Sequence, residues 1–228
     1  DAVLARWRAG GTASVASASA SARITESPAA AEIGDGVFAT VDEAVKAAAE
    51  AQLRLAGMSL DDRGRIIAII RRMCVDHAAE WAAMELAETR LGRADHKTEK
   101  LLSIPKVLGV EALRTQARSD SSGLAIIEHA PWGVIGMVLP VTHSIPTMAS
   151  NAINVIAAGN TAVFGAHPSG AKCARHALRA FNREIEREVG LRNVIATTSE
   201  ATLRHAEELF QHPSIALLCV TGGPSVVK

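Results

Sequence analysis

The sequence predicts an α/β protein, a doubly wound parallel sheet preceded by a helical segment. After Gly123 short apolar runs alternate with helical stretches of roughly 10–18 residues, the rhythm of parallel strands covered on both faces. Before Gly123 the apolar residues recur at helical spacing instead. The chain has 228 residues, of which 48% are hydrophobic and 21% charged, enough for a sizeable core without disulfide staples.

Taken in order, residues 1–9 (beginning DAVLARWR) suit a short docking helix with Val3, Leu4 and Trp7 on one side, and residues 10–32 an Ala/Ser/Gly linker. A frayed terminus explains residues 1–8 equally well. The folded part, 33–228, opens with a helix from Val41: Thr40 and Glu43 form a capping-box pattern, Val41, Val45 and Ala48 share a face, and Gly57 ends it. A second helix follows Ser59 and carries Ile66, Ile69, Ile70 and Met73 on one side. A third spans WAAMELAETRLG and stops at Gly92, and more helix is expected from Lys97 to about Thr115, interrupted near Pro105. Strands are expected at 124–130, 133–139, 161–166, 193–197 and 214–220, and helices at 145–157, 171–188 and 201–212.

Composition removes several classes of function. Lys+Arg 24 against Asp+Glu 24 leaves no basic excess for nucleic acid, and 3% aromatics with no Tyr leaves no base-stacking surface. No apolar run reaches the roughly 18 residues of a membrane span. Cys74, Cys173 and Cys219 have no short spacing, so neither a disulfide framework nor a metal site is expected; they read as reduced thiols of a cytoplasmic protein. The chain begins at Asp1 without a secretory leader pattern and ends just after a Thr-Gly-Gly-Pro turn where a helix should start, so truncation at both ends is expected.

Ligands of such sheets sit at the carboxyl ends of the strands. That selects three turns: Leu139, Pro140, Val141, Thr142 and His143; Gly165 to Gly170, with His167 and Pro168; and Thr221, Gly222, Gly223 and Pro224. Each precedes a helix and is expected to offer free backbone N–H groups to an anion. Neither GxGxxG nor GxxxxGK[ST] is present. Taken alone, the glycine turns also read as tight turns and His143 as a helix cap. Asn151 and Asn154 share a helix face and are expected to hydrogen-bond to loops; the cysteines are expected to be structural. The residues by themselves stop at a nucleotide or phosphate-containing ligand with no visible nucleophile.

The runs APWGVIG at 130–136, Leu139-Pro140, Asn151-x-x-Asn154, AAGNT at 157–161, His167-Pro168 and TGGP at 221–224 together resemble the aldehyde dehydrogenase superfamily. ETRLGR at 88–93, Lys97 and EHAP at 128–131 resemble its CoA-acylating branch in bacterial microcompartments. The likeness covers about residues 36–228. It implies an incomplete Rossmann-like NAD-binding domain of an enzyme that turns a short-chain aldehyde, NAD and coenzyme A into acyl-CoA and NADH through a cysteine thioester. It implies that Pro140, Val141 and Thr142 approach the reacting carbonyl, with His143 at the oxyanion-hole position, where the family commonly has Asn. Gly165, His167 and Pro168 would face the adenosine of NAD and later CoA, and Thr221, Gly222 and Gly223 would open the cofactor helix. The nucleophilic Cys is expected downstream of Lys228, leaving the 228 residues alone inactive. Residues 124–128 are implied to be an oligomerisation strand, and residues 1–22 to address the protein to microcompartment shell proteins and the lumen they enclose. The alternatives are a non-acylating aldehyde or semialdehyde dehydrogenase, and a non-catalytic shell-docking or nucleotide-binding fragment.

Overall fold

The computed structural model describes residues 33–222. The expected docking helix, the linker and Gly223 lie outside the described residues. The first strand, β1 (Val37–Phe38), is followed by four helices: α1 (Val41–Ala56), α2 (Leu60–Asp76), α3 (Ala78–Thr89) and α4 (Ala94–Ser103). Two strands, β2 (Gln116–Asp120) and β3 (Gly123–Ile127), form an antiparallel ribbon. The rest alternates: β4 (Val134–Val138), α5 (Ser144–Ala157), β5 (Thr161–Gly165), α6 (Ala171–Val189), β6 (Ile195–Thr198), α7 (Leu203–Gln211) and β7 (Ile215–Val220).

The doubly wound sheet is present, parallel throughout, in the order β1-β6-β5-β4-β7. Period-2 alternation sends neighbouring side chains to opposite faces. Val134, Val163 and Ala196 pack with Val41, Val45 and Leu209, placing α1 and α7 on one face. Ile135, Phe164 and Ile195 join the larger cluster with Ile66, Trp81, Met148 and Phe181, placing α2, α3, α5 and α6 on the other. From β4 the chain steps outward through β5 to β6, and α7 then carries it back past β4 to β7. The β4/β7 boundary is therefore the point where strand order reverses, the usual place for a ligand crevice.

Local chemistry explains the elements. Thr40 and Glu43 make the capping box reciprocally, at 3.2 and 3.1 Å, and the Ser59 side chain caps α2. Asn160 Oδ1 accepts from the N–H groups of Trp132 and Gly133, at 2.6 and 2.9 Å, and so fixes the entry of β4. Arg63 closes two helices at once, donating to Leu55 and Ala56 at the end of α1 and to Ala157 at the end of α5.

The helix expected from Lys97 to about Thr115 is shorter. It ends at Ser103, and Pro105, which lacks an N–H, is the second residue of a 3-10 turn at Ile104–Lys106. A second 3-10 turn, Val110–Ala112, precedes β2, whose sequence QARSD has no apolar alternation and which exists only through pairing with β3. β1 is also absent from the sequence expectation. It is two residues long, and parallel pairing with β6 defines it. The ribbon is exposed along both strands, with Leu124 at 68% and Ile126 at 63% exposure. Among the described residues no helix is long and apolar enough to cross a membrane.

Candidate active site

Leu139 leaves β4 buried, its N–H donating to Gly165 O at 3.0 Å, so the first two turns start side by side. In the first turn Ser144 Oγ donates to Pro140 O at 2.9 Å. Lys97 Nζ reaches in from α4 and donates to Thr142 O at 2.7 Å. The same ammonium lies 2.9 Å from Glu85 Oε2 of α3, and Glu85 Oε1 accepts from Ile145 N–H at 3.0 Å. His143 is half-buried, with Nδ1 2.6 Å from Thr142 Oγ1. Burial first, then the Lys100 and Lys97 cations, hold its imidazole below the ordinary histidine range, with Glu85 acting against them. His143 is thus neutral near pH 7. In the tautomer in which the Thr142 hydroxyl donates to Nδ1, Nε2 carries the proton and can donate.

In the second turn His167 caps a 3-10 turn (Pro168–Gly170), its Nδ1 accepting from Ser169 N–H at 3.1 Å. Burial lowers the pKa of His167 as well. Glu88, one helical turn beyond Glu85, accepts from Lys172 N–H at 2.9 Å and Cys173 N–H at 2.7 Å at the start of α6. At two of the three turns, therefore, some of the helix N-terminal N–H groups expected to face an anion are taken by the protein's own carboxylates. Two carboxylates of α3 already occupy the N-termini of α5 and α6, where the helix dipoles favour negative charge. In the third turn Thr221 N–H donates to Val138 O at 3.2 Å, extending the β4/β7 pairing to the crevice.

Beside the second turn opens a cleft between α7 and the carboxyl ends of β5 and β6, partly open to solvent. Val163 and Phe164 form part of its floor; Gly165, His167, Thr198 and His205 are among its walls. Its lining contains neither Lys nor Arg.

The Aldehyde dehydrogenase family description matches residues 14–228. The chain belongs to the aldehyde dehydrogenase family. It is 38% identical over 205 residues to the acetaldehyde dehydrogenase (acetylating) EutE of Escherichia coli (strain K12), covering 90% of this chain and 44% of that protein. It superposes with a TM-score of 0.83 and 37% identity on a propionaldehyde dehydrogenase from the Clostridium phytofermentans fucose utilisation bacterial microcompartment, covering 85% of this chain and 45% of that one. A Rhodopseudomonas palustris propionaldehyde dehydrogenase with bound CoA and an acylated cysteine gives a TM-score of 0.82 and 35% identity, covering 86% and 45%. The chain thus spans less than half the length of these relatives.

As an aldehyde dehydrogenase domain the structure brings the Pro140–His143 and Gly165–Pro168 segments together, with Thr221 and Gly222 following the neighbouring strand. Cys74 and Cys173 are unsuited to nucleophilic attack. Burial pushes the Cys74 thiol up to about 12, and burial together with Glu88 raises that of Cys173, whose Sγ donates to Gly170 O at 3.2 Å. Cys219 lies part-buried in β7, in register with Met137. Loop hydrogen bonds expected of Asn151 and Asn154 are not formed: Asn151 Nδ2 is buried without a partner among the described residues, and Asn154 is exposed. The helix turns Asn154 outward, as its neighbours Ile153 and Val155 take the buried positions.

Sequence reasoning assigned no role to Glu85, and noted Glu88 and Lys97 only within the family likeness. A signal was available. The buried positions of α3 are Ala78, Trp81, Ala82, Glu85 and Thr89, and those of α4 are Lys97 and Leu101. A full charge at a core-facing helical position is rarely tolerated without a partner.

Proposed function

We propose that these residues form the cofactor-binding part of a CoA-acylating aldehyde dehydrogenase, which converts a short-chain aldehyde, NAD and CoA to acyl-CoA and NADH. The observation that carries this reading is the cleft at the carboxyl ends of β5 and β6, one strand away from the neutral His143 at the strand-order reversal. Its apolar floor and few polar walls fit an uncharged adenosine rather than an extra phosphate. NAD, when bound, accepts the hydride that leaves the aldehyde carbon.

The chain's own residues bind and orient. Val163, Phe164 and Leu209 would present an apolar surface to the adenine, and Gly165 and His167 would border the ribose. His143 donates an N–H to the aldehyde oxygen as a thiolate adds to its carbon, when negative charge develops there. Thr221 and Gly222 lie at the end of β7 beside this turn, where they would border a cofactor reaching from the adenosine cleft toward the reacting carbonyl. Cys74 and Cys173 are buried and hold their protons, and Cys219 lies within strand β7 in register with Met137, so we read the thiolate, as the family likeness implies, as one supplied by residues outside the 228. After hydride loss the carbonyl carbon is a thioester. The CoA thiol then displaces the cysteine, which regains its thiol state, and CoA uses the vacated adenosine cleft. The acetylating activity of the Escherichia coli relative and the acylated cysteine found with bound CoA in the Rhodopseudomonas palustris relative support this reading.

The exposed β2–β3 ribbon is read as the contact with a second copy, because Leu124, Ile126 and Ile127 have no cover in one chain. Residues 1–22 are read as the address to microcompartment shell proteins, in keeping with the microcompartment source of a structural relative. The test is the full-length gene product with propionaldehyde, NAD and CoA. Equal amounts of NADH and propionyl-CoA are expected, both dependent on CoA. Continuous NADH formation without CoA would make it a non-acylating dehydrogenase, and no NADH would overturn the reading.

A further inference from the structure

We propose that the buried Glu85–Lys97 pair is a positioning device for the His143 turn, acting on turnover rather than on cofactor affinity. The inference rests on the proposed aldehyde-dehydrogenase chemistry. Glu85 is 1% exposed and Lys97 2%, so both charges are taken out of water. Burying them carries a large desolvation cost, and apolar side chains of similar volume often serve a core as well or better. The pair therefore needs a reason beyond stability.

Its remaining hydrogen bonds supply one. Lys97 Nζ donates to Thr142 O at 2.7 Å, and Glu85 Oε1 accepts from Ile145 N–H at 3.0 Å. The two contacts straddle His143 and are made by groups 2.9 Å apart. The turn is thus clamped from both sides by one ion pair anchored on two helices. A trans peptide is planar with its C=O and N–H antiparallel. Drawing the Thr142 carbonyl toward the buried ammonium therefore turns the His143 N–H away from it, and the planar link also limits where the imidazole can sit. Donors to a developing oxyanion work only when held in place before the reaction, and a misplacement of about 1 Å can cost about a hundredfold in rate. Lys97 and Glu85 touch no reacting atom in this scheme; they hold the group that does.

The experiment compares three variants of the full-length enzyme. Lys97→Gln and Lys97→Met have similar volume and leave the same uncompensated Glu85, but only Gln can still donate to Thr142 O. Glu85→Leu/Lys97→Met removes both charges together and is expected to restore the melting temperature that either Lys97 variant loses. For Lys97→Met, kcat should fall about 10- to 100-fold with KM for NAD within about twofold, and Lys97→Gln should retain several times more kcat than Met. The double variant should melt like the parent yet keep the low kcat. Recovery of kcat with melting temperature in the double variant, or equal kcat for Gln and Met, would overturn the inference and leave the pair a structural one. If Lys97→Met fails to fold, Lys97→Gln against the double variant decides. A parent enzyme that makes no acyl-CoA would overturn the functional reading first, before any variant is compared.

Discussion

Glu88→Ala separates the two carboxylates of α3, because Glu88 supports the Gly165–Gly170 turn and the start of α6 and not the His143 turn. In the native structure its oxygens accept from the N–H groups of Lys172 and Cys173, at 2.9 and 2.7 Å, at the start of the 19-residue helix α6. Removing a cap costs about 1 kcal/mol, and hydrogen bonds to an ionised acceptor about 1.5–3 kcal/mol each when buried. Glu88 is only half-buried, and water would replace part of what is lost. A net loss of about 2 kcal/mol follows for Ala, and about 1 kcal/mol for Gln, which keeps one acceptor. For a folding unit of this size that is a fall of about 4–8 °C in Tm for Ala. The Gly165–Gly170 turn would loosen with the helix start, so KM for NAD should rise severalfold while kcat changes little, opposite to the pattern expected at Lys97. Thermal melting by circular dichroism and steady-state kinetics on the same preparation read both. A Glu88→Ala protein melting within about 1 °C of the parent would show that the carboxylate does not carry the helix start.

Ala206→Trp would fill the cleft beside Thr202 and Leu209, and should raise KM for NAD and for CoA together by at least about tenfold, whereas a change in only one would break the shared-cleft reading. His143 and His167 are both held below the ordinary 6.5 by burial, so on acidification the unfolded chain binds protons first. Their contribution to stability is therefore lost as pH falls below 6.5 and stops changing once the native imidazoles are charged; His143→Gln/His167→Gln should flatten this slope in denaturant titrations from pH 7.5 to 5, and an unchanged slope would refute the assignment. Cys74 and Cys173 should resist iodoacetamide in the native enzyme at pH 7.5 and react only on unfolding, as read by peptide mass spectrometry. Gly36→Ala should destabilise by about 3 kcal/mol, because φ is +91° and a Cβ would displace Asn182 from its bonds to Asp35 O and Ile195 O.

Much of this was legible in the residues. The 3.6 periodicity of α1 and α2 and the short apolar runs of β4, β5 and β7 are local properties, and the capping box at Thr40 is a local interaction, so they could be read without neighbours. β1 and β2 could not be, because two residues or a polar QARSD become strands only through partners far along the chain. The site divides the same way. The three turns follow from strand ends and glycine or proline chemistry, and the family likeness adds their roles. At the first two, helix N-terminal N–H groups that looked open to an anion are already taken, by glutamates some 60 and 84 residues earlier. The charges of α3 and α4 on core-facing positions were visible as anomalies, but only the fold shows that both point at the turns.

A crystal structure of the full-length protein with bound NAD tests the central claim most directly. The adenosine is expected between α7 and the carboxyl ends of β5 and β6, lying on Val163 and Phe164, with a His143 N–H about 2.7–3.1 Å from the position the aldehyde oxygen would occupy. A nucleotide bound away from that cleft, or a His143 turned from the nicotinamide end, would contradict it.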